Sequence, residues 1–202
     1  MDKQITVIER PEWISYDDIA DLLHKAHKSN VEKGLLYSAS HQNGEEIKKL
    51  LHETGKFYVA ITEDNQLVGV SALELLAQSR AWYGRQRPYG KIILEGVLPT
   101  YQGMGVFSRL RSVVEKKAFQ SADFLVLDTA EKNKHARAIN KKRGWIEVDC
   151  LSRATNNFYS VVMVKWKDDP PIPISVLRLQ YLNRRMIKHI LYDRYGKRRF
   201  SF

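Results

Sequence analysis

The sequence predicts one α/β (α+β) domain, a single mixed β-sheet flanked by helices, followed by a basic helical extension. Three observations carry this. Apolar periodicity switches repeatedly between two and 3.6 residues, giving the order β, α, α, β, β, β, α, β, α, β, β. Two nearly continuous apolar runs, 91–98 and 124–129, are joined by a helical pattern; such a crossover is right-handed and makes its strands parallel. The hairpins around them make the sheet mixed. Finally, 202 residues with 44% apolar and 28% charged side chains suit a globular chain able to bury about 70% of its extended surface.

Each element has a local cause. Residues 5–8 are rich in β-branched side chains and end before Pro11, a short strand. Ser15 can cap a helix whose first turn carries Asp17 and Asp18, where the dipole favours anions. Ile19, Leu22, Leu23 and Ala26 follow at helical spacing. The pattern is lost over 29–43, a loop, and returns as a short helix over 44–52. Strands 56–62 and 67–76 flank the turn Glu63-Asp64-Asn65-Gln66. Strand 91–98 leads to helix 108–120, strand 124–129 and helix 133–142, which Gly144 ends. Strands 145–148 and 158–166 close the domain around a polar turn.

Composition excludes several classes. Cys150 is the single cysteine, so there is no internal disulfide and no multi-cysteine metal site, as suits a reducing compartment. No run of about 18 apolar residues exists, so no spanning helix is expected. Met1-Asp2-Lys3-Gln4 begins neither a signal peptide nor a myristoylation site. The expected location is cytoplasmic. No metal is expected: His24 and His27 stand three apart on a helix without a third ligand and read as exposed.

The net charge of +10 is unevenly spread. From Pro171 onward eight Lys or Arg stand against one Asp, giving +7, while the first 170 residues carry only +3. Asp168-Asp169-Pro170-Pro171-Ile172-Pro173 separates the two regions, so the expected division is 1–167 for the domain and 168–202 for a Pro-rich linker and basic amphipathic helix.

The most informative segment runs from Val97 through Pro99, Tyr101, Gln102, Gly103, Met104, Gly105, Val106 and Phe107 to Ser108. It joins a buried strand to a helix through two glycines one residue apart. Such a turn lets the backbone approach a ligand, and the helix N-terminus adds unpaired N–H groups and a positive dipole end. No Gly-Lys-Ser/Thr follows, so it is not a Walker loop, and the third glycine of the dinucleotide fingerprint is missing. An unliganded tight turn is the plain alternative.

With its surroundings, this stretch resembles the Gcn5-related N-acetyltransferase (GNAT) superfamily, whose pattern is Val-x-Pro-x-Tyr-(Gln/Arg)-Gly-x-Gly-x-(Gly/Ala). Val97, Pro99, Tyr101, Gln102, Gly103 and Gly105 match, and Phe107 stands at the final small-residue position. A second family stretch, Asn-x-x-Ala-x-x-x-Tyr-x-Lys-x-Gly-Phe, is similar to Asn133, Ala136, Lys142, Gly144 and Trp145, with Asn140 at the tyrosine. The likeness covers about four-fifths of the chain, leaving out the tail.

The resemblance implies an acyl-CoA N-acyltransferase-like fold whose sheet is strongly twisted, with its fourth and fifth strands splayed and acetyl-CoA between them. Amides from Gly103 to Ser108 would hold the pyrophosphate, backbone groups of Val97 and Leu98 the pantetheine arm, and Asn133 and Asn140 its far side. The reaction would be direct attack of an amine on the thioester in a ternary complex. An amine must first lose a proton, and Glu95, interrupting an apolar strand, is the first candidate base; Asp128 is the second. A pair with a basic residue is the plain alternative for Glu95. Asn140 has no titratable proton, so it cannot serve as the acid for the departing thiolate.

The acceptor is less determined. Residues 29–43 contain Tyr37, Ser38, Ser40 and His41, and residues 78–89 contain Arg80, Trp82, Tyr83, Arg85, Arg87 and Tyr89. Arginines interleaved with aromatics would suit a sugar or anionic acceptor; otherwise the aromatics pack on the sheet. In the tail, Leu179, Leu182, Met186, Ile190 and Leu191 recur at helical spacing. Docking on the domain or on a second subunit, with the charges as the solvated face, is the first reading. Adsorption to an anionic membrane is the second, and nucleic acid the weakest, since no recognised module accompanies the tail. The rival to an enzyme is a degenerate, non-catalytic domain that binds a ligand or sits on a surface.

Overall fold

The structure, a computed structural model, describes residues 4–51, 54–152 and 158–195. The turn between the last two strands and the Lys197-Arg198-Arg199 end lie outside the described residues. Seven strands form one mixed sheet in the order β1-β2-β3-β4-β5-β7-β6, namely β1 (Ile5–Glu9), β2 (Lys56–Thr62), β3 (Leu67–Leu76), β4 (Tyr89–Val97), β5 (Phe124–Ala130), β6 (Ile146–Ser152) and β7 (Tyr159–Trp166). Only β4 and β5 are parallel. The helices are α1 (Tyr16–Glu32), α2 (Gly44–Leu50), α3 (Val106–Ala118), α4 (Lys134–Lys142) and α5 (Ile174–Tyr195).

Local signals act as expected. The Ser15 hydroxyl accepts from Asp18 N at 3.0 Å while Asp18 Oδ2 accepts from Ser15 N at 2.8 Å, a reciprocal capping box. Asn43 and Glu46 repeat it for α2. Gly144 takes φ +86° just past α4, the left-handed stop a side chain resists. Helix α1 runs on to Glu32, because Lys33 and Gly34 still bond back to Asn30 and Val31.

Two layers cover the sheet. On one face α3 lays Val106, Leu110, Val114 and Ala118, spaced by four, over Ile92, Val97, Leu125 and Leu127. On the other, α1 and α2 place Ile19, Leu23, Ala26 and Ile47 over Val59, Val70, Ala72 and Leu94.

Strand β4 carries the irregularity that positions the site. Val70 opposes Gly96 but Ala72 opposes Ile93, so Ser71 faces two residues, Leu94 and Glu95. Leu94 takes φ +53°, which a branched side chain occupies only when its surroundings hold it there. Side chains of a regular strand alternate between faces. Here Ile93 and Leu94 both join the α1 side, so the bulge re-aims Glu95 toward α3.

Helix α5 packs on the edge strand β6. Leu177 and Tyr181 are its buried anchors. The expected polarity is inverted: Leu179, Leu182, Met186 and Ile190 face solvent, while Arg184, Arg185 and His189 reach the domain. Arg184 pairs with Asp149 at 3.0 Å, and Arg185 and His189 both pair with Glu131.

Candidate functional site

Strands β4 and β5 pair only where Tyr89, Gly90 and Lys91 meet Phe124, Leu125 and Val126. Beyond that they separate, although β4 continues to Val97 and β5 to Ala130. The gap is the cavity, about 360 Å³. It is lined from both faces of the sheet: Phe107, Arg111, Ala136 and Asn140 from α3 and α4, and His27, Tyr37, Ser38 and Gln42 from the α1 side. Such a passage lets two molecules meet from opposite faces.

The glycine turn stands at the α3 end. Gly103 and Gly105 have φ +81° and +77°, with open space where a Cβ would lie. Gly105 is the N-cap of α3 and no side chain caps it, so the first-turn amides of Val106, Phe107 and Ser108 are left for an anion. Gln102 Nε2 donates to the Val97 carbonyl at 3.0 Å, tying turn to strand. Leu98 differs from expectation. Its N–H bonds Val68 O at 2.9 Å and its carbonyl accepts from Tyr101 N at 2.9 Å, so both backbone groups are committed. Strand alternation leaves the Val97 N–H as the one turned toward the gap. Met104 is an exposed turn residue.

At the cavity floor lies a feature the sequence did not announce. Arg111, only 1% exposed, forks onto Glu95: Nε donates to Oε1 at 2.9 Å and Nη2 to Oε2. Ser71 Oγ adds a bond to Glu95 Oε1 at 3.1 Å. Arg111 Nη1 donates to Asn140 Oδ1 at 3.4 Å, and its guanidinium lies 5.0 Å from the Phe107 ring and 5.1 Å from the Trp145 ring. Phe107 therefore turns inward, onto the arginine. Glu95 is the paired carboxylate of the plain alternative and faces the α3 side. Asp128 alternates with Leu127 and falls on the opposite face, where it lines the cavity.

The α1 side is a connected set of polar groups. His27 Nε2 meets the Glu95 carbonyl at 3.0 Å; a carbonyl only accepts, so this nitrogen carries the proton. Burial holds the imidazole below its ordinary pKa and so neutral. Neither His24 nor His27 is an exposed helix histidine, as His24 Nε2 meets Gln42 O at 2.9 Å. His27 stacks on Tyr37 at 5.1 Å, and the Tyr37 hydroxyl accepts from Asn133 Nδ2 at 3.2 Å. Burial raises the Tyr37 pKa, so the phenol stays protonated. Asn133 also caps α4 through Ala136 N at 3.1 Å. Gln42 Oε1 is buried without a hydrogen-bond partner.

The 78–89 segment lies elsewhere. Tyr83 and Tyr89 pack on Phe124, and none of Arg80, Trp82, Tyr83, Arg85, Arg87 or Tyr89 lines the cavity, so its expected contribution to an acceptor site is not seen. Among the described residues, no cluster of three or more His, Cys, Asp or Glu side chains could hold a metal, and no helix is long and apolar enough to cross a membrane.

Known proteins share this architecture. A GNAT-family acetyltransferase from Staphylococcus aureus Mu50 aligns with TM-score 0.59 at 14% identity, over 82% of this chain and all of that one. A Corynebacterium glutamicum structure described as histone acetyltransferase HPA2 and related acetyltransferase aligns at 0.59 and 15%, over 83% and 99%. The glucosamine N-acetyltransferase region of a fungal multi-domain β-N-acetylglucosaminidase aligns at 0.54 and 21%, over 72% of this chain and 17% of that one. No curated protein sequence matches. The acetyltransferase (GNAT) family model matches residues 16–145, from the start of α1 through the glycine turn and the splay to the end of α4. With that match spanning most of the chain and the cleft built as described, the chain belongs to the GNAT acetyltransferase family.

Proposed function

We propose that the protein transfers an acetyl group from acetyl-CoA to a small primary amine, by direct attack in a ternary complex. The observation that carries this reading is the cavity through the β4–β5 splay, open to α3 on one face and α1 on the other. The pyrophosphate sits on the turn Gly103–Ser108. The Val97 N–H bonds the pantetheine arm and polarises the thioester carbonyl. The amine enters from the α1 face, beside Gln42, whose unpartnered Oε1 suits an N–H donor.

The two carboxylates then divide the work by face. Asp128, on the acceptor face, takes the amine proton before attack. Glu95 keeps Arg111 in place. A guanidinium has five N–H donors, so Arg111 retains capacity beyond Glu95 and Asn140. It stabilises the thiolate as the C–S bond breaks, in place of a tyrosine acid, and the second proton, which the nitrogen sheds as it becomes an amide, passes through solvent to the released thiolate.

Isothermal calorimetry with coenzyme A should give a micromolar Kd, on the order of −8 kcal/mol. A thiol-release assay over a panel of primary amines, with acetyl-CoA as donor, should then find turnover. No heat with coenzyme A overturns the reading. Binding without turnover by any amine supports the degenerate, ligand-holding alternative instead.

A further inference from the structure

Helix α5 carries a second face that the domain does not use. Val176, Leu179, Leu182, Met186, Ile187 and Ile190 are each 41–58% exposed. Together they present on the order of 500 Å² of contiguous apolar surface, the upper end of what a monomer leaves open. Val176, Leu179, Asn183, Met186 and Ile190 alternate three and four apart, the spacing of a seam between two helices. The one polar member, Asn183, is central, and a buried asparagine in such a seam fixes register at a cost in stability.

We propose that this face packs against α5 of a second copy of the chain, antiparallel, with the twofold axis at Asn183. Four of the six exposed apolar residues are symmetric about that point, seven and four positions before it and four and seven after; Leu182 and Met186 flank the axis. A twofold there sets Val176 against Ile190 and Leu179 against Ile187, apolar on apolar, and brings the two Asn183 amides together to bond each other.

Charge decides against an anionic membrane as the occupant. An adsorbing helix needs cations beside its apolar stripe. Here Arg184, Arg185 and His189 lie on the other side and are held by Asp149 and Glu131, which leaves the exposed Arg178 too few companions for an adsorbing face. Charge also decides the direction. The chain continues past α5 through Lys197, Arg198 and Arg199. A parallel pair brings the two C-terminal ends of α5, from which this charge follows in sequence, together; an antiparallel pair holds the two helix ends apart by about the length of the helix, ~33 Å for 22 residues.

The full-length protein tests this by sedimentation equilibrium and cysteine cross-linking. Wild type should sediment as a dimer at micromolar concentration. Leu179→Glu with Met186→Glu should give a monomer whose melting temperature is that of wild-type protomer, since both side chains face solvent. Cys150 is the single native cysteine and is buried, so new thiols report cleanly. Asn183→Cys should oxidise to a covalent dimer. Val176→Cys should not, because residues seven positions from the axis lie ~20 Å apart, far beyond disulfide reach. A monomeric wild type, or a dimer that survives the double glutamate change, overturns the interface. Cross-linking through Val176→Cys overturns the antiparallel arrangement. Wild-type monomer that co-sediments with phosphatidylserine vesicles, and loses this in the double variant, assigns the face to membrane.

Discussion

Removing either partner of the Glu95–Arg111 pair should cost far more than removing both. Arg111 is 1% exposed and Glu95 19%. Breaking a buried pair leaves an uncompensated charge worth about 3–5 kcal/mol. The partial exposure of Glu95 lets water share the load, so Arg111→Met belongs at the lower end, ~3 kcal/mol. For a chain of this length each kcal/mol moves Tm by about 2–4 °C, so the drop should be roughly 6–12 °C. Glu95→Leu, which strands the guanidinium among Phe107, Trp145 and Asn140, should cost at least as much. The joint variant removes both charges and should return to within about 1 kcal/mol of wild type. Urea denaturation of all four proteins measures the coupling. Additive losses would refute the pair as an energetic unit. The joint variant also separates structure from chemistry, because it is folded yet lacks the guanidinium. If Arg111 stabilises the leaving thiolate, its kcat should fall about 10²–10³-fold. Near-normal turnover would make Arg111 purely structural.

Three further outcomes follow from the geometry. Gly105→Val forces a branched residue to φ +77°, costing about 1–2 kcal/mol, and fills the open turn; calorimetry should read at least a tenfold loss of coenzyme A affinity. Asp128→Asn should lower kcat by about 10²–10⁴-fold while sparing coenzyme A binding, and an unchanged kcat would remove it as the base. His27 is buried with its pKa below the unfolded value of about 6.5, so the unfolded chain binds its proton more readily. Its contribution is therefore complete above pH ~6.5 and is lost as pH falls toward the folded value. Wild type should lose Tm between neutral and mildly acidic pH, and His27→Gln should lose less; equal slopes would contradict the assignment.

The element order, the parallel crossover and the glycine turn were legible because each rests on local signals: periodicity, capping side chains and positive-φ glycines. The direction of Glu95 was not. Alternation from Ile92 puts residue 95 on the α1 face, beside the acceptor, and only the two-against-one pairing at Ser71 reverses it. That bulge falls at Leu94, a residue type that does not advertise positive φ. Arg111 was hidden for a related reason. On a helix that also carries Arg109, Lys116 and Lys117 toward water, an arginine among apolar neighbours reads as surface until its partner, sixteen residues earlier, is known. In α5 the apolar stripe was legible but its direction was not. The acids that claim Arg184, Arg185 and His189 come from β6 and from the residue after β5, contacts of long sequence range.

The two positions where the chain departs from the family pattern meet at one atom group. Phe107 lays its ring against Arg111, and Asn140 accepts a bond from it. A small residue at 107 would leave one face of the guanidinium uncovered; a tyrosine at 140 would replace the amide oxygen that accepts a hydrogen bond from its Nη1. Neither change alone suits a buried cation, whereas together they supply a ring face and an acceptor, with Glu95 balancing the charge. A decaying cluster would be expected to lose its members independently and leave the guanidinium unpaired. Here the buried guanidinium is paired on three nitrogens. That coherence favours a site that meets the departing sulfur with the remaining N–H donors of a fixed guanidinium over one that has lost its acid.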